Sequence, residues 1–149
     1  MKQGPERELV SRYLDRARAA GKPLALTGFD ILEFAESRAA TADSRKVDEG
    51  ATLLSALPEG IRIALDERGK TIGSAAFATR LARWRDDGRP AVSFVIGGAD
   101  GLDPAFVQEA DLTLSFSPLT WPHQLVRIML AEQLYRTTTI LSGHPYHRE

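Results

Sequence analysis

The chain closes on Gly143-His144-Pro145-Tyr146-His147-Arg148-Glu149. Tyr146 and His147 bring a phenol and an imidazole that can take or hold a proton, and Arg148 brings a guanidinium that can grip phosphate. A tyrosine ring can also stack on a nucleobase. Chain ends are ordinarily frayed, but an end so dense in functional groups is better explained if it docks. All three histidines, His123, His144 and His147, fall in the last 27 residues. Their H-x20-H-x-x-H spacing is no common zinc pattern, and no acidic residue stands out to complete a ligand set, so no metal is expected. His123 directly follows Pro122 and is placed to start a helix, where capping or packing accounts for it as readily as chemistry.

Three other stretches sit where a ligand could be held: Leu65-Asp66-Glu67-Arg68-Gly69, Gly97-Gly98-Ala99-Asp100-Gly101 and Ser117-Pro118-Leu119-Thr120-Trp121-Pro122. Each follows an apolar run that reads as a strand, and open parallel sheets bind ligands beyond the carboxyl ends of their strands. Glycine lets backbone approach a ligand closely because it lacks a Cβ. The same residues would serve an ordinary tight turn. The loop is neither GxGxxG nor a phosphate-binding Gly-Lys-Ser/Thr. The stretch between Pro118 and Pro122 is rigid and apolar. It reads either as packing or as the wall of a pocket for a flat ring whose edge meets free backbone N–H and C=O groups.

The elements that must position these groups alternate in type. Leu9, Val10, Tyr13, Leu14 and Ala17 form a helical stripe over residues 6–20, ended by Gly21-Lys22-Pro23. Residues 24–34 are apolar and β-prone and read as a strand, with Gly28 as a possible interruption, followed by a polar loop. A helix is expected over 44–57 with Val47, Ala51, Leu54 and Leu57 on one side, stopped by Pro58. Ile61–Leu65 reads as a short strand closed by a turn at 66–70. Ser74 is placed to cap a helix through Arg85 that carries Phe77, Leu81 and Trp84. Ala91–Ile96 is a near-continuous apolar run, as in strands buried on both faces. Asp103-Pro104 starts a short helix to about Ala110, residues 112–116 alternate as a strand, and a last helix covers 123–138 with Leu125, Ile128, Met129, Leu134 and Tyr135 as core contacts. Strands alternating with helices predict an α/β domain with a mostly parallel sheet.

The chain has 149 residues, 43% apolar and 26% charged, which suits one domain able to bury roughly 70% of its unfolded surface. It has no cysteine, which excludes disulfides, thiolate metal sites and cysteine nucleophiles. No apolar run approaches the ~20 residues of a membrane span, and no secretory signal is visible. A net charge of −1 argues against binding nucleic acid through bulk charge. The charge is uneven, however: residues 1–22 hold six basic side chains against three acids, and 62–90 hold seven against four. These are either solvated helix faces or local phosphate-contacting surfaces.

Phe94–Gly101 (FVIGGADG), Leu119–Arg127 (LTWPHQLVR), Ala131–Arg136 (AEQLYR), the closing GHPYHRE and Ala64–Lys70 (ALDERGK) closely resemble the RlmH family of SPOUT methyltransferases. The similarity runs from about Gly4 to the last residue, and the specific part is the C-terminal half. The resemblance implies an α/β SPOUT fold over 1–149 as a single domain, with the region from about 91 to 149 threaded into a trefoil knot, an exception to the rule against knots. It implies S-adenosylmethionine held by Leu65, Gly98, Ser117, Pro118, Leu119, Thr120, Trp121 and Pro122. It also implies a cytoplasmic homodimer in which the partner's tail completes the site, acting on large-subunit rRNA in the assembled ribosome, with neither membrane nor DNA as partner. The reaction implied is methylation at N3 of a pseudouridine in helix 69. N3 is a weakly acidic imide, so holding donor and acceptor in line supplies much of the rate. Tyr146 is then expected to position or stack the base, His147 to assist proton removal and Arg148 to hold phosphate or an oxygen. His123 borders the cofactor loop, and Arg136 is expected to orient the tail or reach RNA.

Two departures stand out. Members of the family open with an apolar strand ahead of the segment matched here by residues 2–7, so that strand is expected to be missing and a sheet edge exposed. Trp121 stands where a smaller aliphatic residue is usual. Two other readings are kept: a non-catalytic ribosome-associated factor, which the intact cofactor loop argues against, and an ordinary α/β ligand-binding domain, which the dense tail argues against.

Overall fold

The computed structural model describes residues 3–148, which form two compact units. One is built from the described residues up to Ile31, Ile72–Gly88 and the chain from Gln124; the other from Leu32–Thr71 and Arg89–His123. The expectation of a missing first strand concerns residues outside those described.

The second unit carries the sheet. Its elements are α2 (Ala42–Ala56), β1 (Ile61–Lys70), β2 (Val92–Ile96), α4 (Pro104–Glu109) and β3 (Leu112–Leu114). The strands lie in the order β2-β1-β3, all parallel, with Leu65 level with Ile96 on one side and Leu114 on the other. Parallel neighbours need crossover connections, which the chain supplies as helices. Ala64, Val95, Leu102 and Phe106 form the core here, with Leu53, Leu57, Val107 and Ala110 packed against it. Asp103 caps α4 by accepting from the Ala105 amide, and Thr41 caps α2 by accepting from Ser44.

The first unit is helical: α1 (Pro5–Gly21), a 3-10 turn (Lys22–Leu24), α3 (Ser74–Asp86) and α5 (His123–Ser142), which enters it at Gln124. Val10 and Leu14 of α1 bury themselves against Ala131 of α5, with Tyr13, Phe29, Ile128 and Leu134 around them. Arg85 of α3 donates to the Leu24 carbonyl at 2.9 Å. Among the described residues no helix is long and apolar enough to cross a membrane.

Several expectations are corrected. Residues 24–34 are not a strand: Ala25 and Gly28 take left-handed backbone (φ 58° and 74°), and the segment has no pairing partner among the described residues. Its Phe29 instead packs into the helical core. The strand after Leu57 is longer than read, reaching Lys70, because the register jumps from Leu65 to Lys70 opposite Leu114 and residues 66–69 bulge out. The packed face of α2 is Gly50, Leu53 and Leu57, whereas Val47, Ala51 and Leu54 are exposed. Leu125 is likewise exposed. Ser74 does not cap α3; it is the first helical residue, and its hydroxyl donates to Gln133 at 2.8 Å.

Candidate active site

At the carboxyl edge of the sheet, Leu65, Ile96 and Leu114 lie in register; the chain leaves Ile96 and Leu114 into loops and Leu65 into the bulge of β1. After β2, Gly98 and Gly101 pair as a small antiparallel bridge, with the Gly101 amide on the Gly98 carbonyl at 3.0 Å. A Cβ on Gly97 would stand 2.6 Å from the Gly101 carbonyl carbon, so this fold of the loop needs glycine there. Arg45 of α2 fixes the loop from outside through Asp100, at 2.7 and 3.3 Å. That hydrogen bond, with the charge behind it, holds the Asp100 carboxyl below the usual carboxylate range. Carboxylate oxygens of Glu49 and Glu36 come within 3.3 and 3.7 Å of where a Gly98 Cβ would be.

After β3, Ser115 is buried and its hydroxyl lies 3.1 Å from the Glu67 carbonyl and 2.8 Å from that of Ser117, joining this loop to the bulge of β1. The bulge itself is shaped by Asp66, which accepts from the Arg68 amide at 2.8 Å and pairs with its guanidinium. Ser117 Oγ accepts from the Leu119 amide at 2.9 Å and the Trp121 indole at 3.1 Å. Pro118, Leu119, Thr120, Trp121 and Pro122 remain exposed, as does His123 at the start of α5. Leu65, Gly98 and the run 117–122 are thus brought to one edge of the sheet.

The tail is organised separately, in the helical unit. Helix α5 ends at Gly143 (φ 75°), and the His144 amide returns to the Thr139 carbonyl at 2.9 Å, the turn that left-handed glycine allows at a helix end. The chain then folds back along α5. The Tyr146 amide donates to His144 Nδ1 at 3.1 Å, and the Tyr146 ring lies 4.8 Å from that of Tyr135. One carboxylate oxygen, Oε1 of Glu132, accepts from Arg136 Nε (2.9 Å), Arg136 Nη2 (2.5 Å) and the Tyr146 hydroxyl (3.0 Å). Arg136 also lies over the Tyr146 ring at 5.0 Å, and its Nη1 meets His147 Nδ1 at 3.1 Å. Burial, reinforced by the hydrogen bond to Glu132, pushes the Tyr146 phenol up to about 12. The Glu132 contact raises Arg136 above the ordinary guanidinium value. Arg148 points out, exposed.

Structure therefore gathers Arg136, Tyr146 and His147 into one array. It adds Glu132, which sequence reasoning missed, and Tyr135, which the sequence reads only as a core contact. The signal for Glu132 was present in its spacing of one helical turn from Arg136 inside AEQLYR. Among the described residues no three His, Asp or Glu side chains cluster as a metal would require.

A family model described as predicted SPOUT methyltransferase matches residues 1–147. The chain is 56% identical over 149 residues to a protein of Xanthobacter autotrophicus named ribosomal RNA large subunit methyltransferase H, covering 99% of this chain and 93% of that one. Proteins of the same name from Brucella anthropi and Rhodopseudomonas palustris (strain CGA009) are 56% and 53% identical over the same shares. With its parallel three-stranded α/β sheet, its loops at one sheet edge and its ordered tail, this chain belongs to the SPOUT methyltransferase family, in its RlmH branch.

Proposed function

We propose that this protein is an rRNA methyltransferase that places a methyl group on N3 of a pseudouridine in helix 69 of large-subunit rRNA, in the assembled ribosome and in the cytoplasm. Methyl transfer to large-subunit rRNA is supported by the name of relatives more than half identical across nearly the whole chain; the nucleotide and atom are what the family resemblance implies. One observation supports catalysis over bare binding: the tail is built into a hydrogen-bonded array with Glu132 at its centre, beside Tyr146 and His147.

S-adenosylmethionine, when bound, supplies an electrophilic methyl carbon on a positively charged sulfur. The sheet-edge loops fit such a molecule. The Glu36 and Glu49 carboxylates beside Gly98 suit a ligand carrying an ammonium and a sulfonium. The exposed stretch between Pro118 and Pro122 suits the edge of an adenine ring. Leu65, Gly98 and Ser117 to Pro122 would hold it, with Ser117 keeping its loop in shape through the Leu119 and Trp121 contacts.

On the substrate side, Tyr146 stacks on or positions the base, Arg148 holds phosphate or an oxygen, and Arg136 orients the tail. His123 borders the cofactor loop. We take the whole chain as one methyltransferase domain, threaded as a trefoil knot from about residue 91 to 149, and active as a homodimer in which each tail completes the partner's site. Two basic segments and shape, rather than bulk charge, then carry RNA binding.

The test is methyl transfer from labelled S-adenosylmethionine to ribosomes lacking the modification, with free rRNA as control and a calorimetric cofactor titration beside it. Saturable cofactor heat and label on ribosomes are expected. Cofactor binding without label would instead favour a binding factor on this fold.

A further inference from the structure

The contact between Arg136 Nη1 and His147 Nδ1 at 3.1 Å has a chemical direction. A guanidinium can only donate. Nδ1 therefore presents its lone pair to Arg136, and the proton of the neutral imidazole sits on Nε2. That Nε2 is buried and has no hydrogen-bond partner among the described residues. Arg136 is itself held by two bonds to Glu132 Oε1, and the neighbouring Tyr146 hydroxyl donates to the same oxygen.

We infer that His147 meets its substrate as a hydrogen-bond donor through Nε2–H, delivered by Glu132 and Arg136 as positioning residues, and not as the proton acceptor. The inference rests on the proposed function for the identity of the substrate. An imide nitrogen is flanked by two carbonyl oxygens. As its proton leaves to water, the negative charge spreads onto those oxygens, and a fixed donor aimed at one of them stabilises the anion. A lone pair already engaged by a guanidinium is poorly placed to collect that proton. Nε2 is covered in this state, so admitting an oxygen requires the tail to shift, and an unmet buried donor makes that shift cheaper.

The direct test uses the full chain with 15N-labelled histidine and long-range 1H–15N correlation spectra, which tell the Nε2–H tautomer from the Nδ1–H one. Loss of a signal set in His147→Gln assigns the residue among the three histidines. The Nε2–H pattern is expected at His147, and Arg136→Met should lose the bias and show both tautomers. An Nδ1–H pattern in the unmodified chain would overturn the inference. A second arm measures kcat/KM on ribosomes. His147→Ala should lose about ten- to a hundredfold, and His147→Gln, which keeps an N–H donor but no useful base, should recover most of it. Equal loss in both variants would also overturn the donor role. Because the spectra need no RNA, failure of methyl transfer with the Nε2–H pattern intact would count against the proposed function alone. Full methylation with an Nδ1–H pattern would count against this inference alone.

Discussion

Tyr146→Phe removes the hydroxyl alone. The ring keeps its place 4.8 Å from Tyr135 and 5.0 Å from the Arg136 guanidinium, and the 3.0 Å hydrogen bond to Glu132 is lost together with the hydroxyl's lesser interaction with Tyr13. A bond to an ionised group is worth about 1.5–3 kcal/mol. Tyr146 is only partly buried, so the lower part of that range applies, about 1.5–2 kcal/mol, and the tail should spend about ten to thirty times longer undocked in the variant. Trimming of the C-terminal residues by a carboxypeptidase, followed by mass, reports that open population when docking is fast. It should accelerate by the same factor, while the melting temperature of the whole chain moves little. Unchanged trimming would refute the claim that the Glu132 bond holds the tail. The sign of the pH effect follows as well. The docked state favours the neutral phenol, so its contribution is complete below about 10 and is lost as pH rises from 10 towards 12. In a spectrophotometric titration, the component ionising near 12 should be the one missing from Tyr146→Phe.

Other expectations are briefer. Gly97→Ala drives a Cβ to within 2.6 Å of the Gly101 backbone and should cost about 1–3 kcal/mol of stability and abolish cofactor heat in calorimetry. Gly98→Ala meets the Glu49 carboxylate at 3.3 Å and Glu36 in ordinary contact at 3.7 Å, both side-chain atoms rather than backbone, and should fold normally. Ser117→Ala leaves the Leu119 amide and Trp121 indole without their acceptor, so cofactor affinity should fall by about five- to thirtyfold, with an altered Trp121 fluorescence. Asp100 sits below the usual carboxylate range because of Arg45. Its contribution is therefore present above that range and lost as pH falls beneath it. Asp100→Asn should accordingly flatten the acid limb of a stability–pH profile followed by circular dichroism.

Much of this was legible in the residues. The helical stripe of α1 and the apolar run of β2 carry their period in plain view, and Asp103-Pro104 announces α4. What failed was local apolarity without a partner. Residues 24–34 have strand composition, but left-handed Ala25 and Gly28 break the run and no neighbour among the described residues pairs with it. Periodicity found an apolar face on α2, yet the face that is covered is set by Leu53 and Leu57 against Phe106 and its neighbours. The tail's density of functional groups suggested docking. Its anchor was hidden, because a Glu–Arg pair one helical turn apart is the commonest of surface pairs. Only the reversal at Gly143 brings Tyr146 and His147 back onto that pair.

One measurement bears most directly on the account as a whole: mass mapping of helix 69 from modification-free ribosomes after incubation with the protein and S-adenosylmethionine, with Glu132→Ala run in parallel. A single methyl on N3 of a pseudouridine, strongly reduced in the variant, is the predicted result. A methyl on another atom or nucleotide, or full modification by the variant, would contradict it.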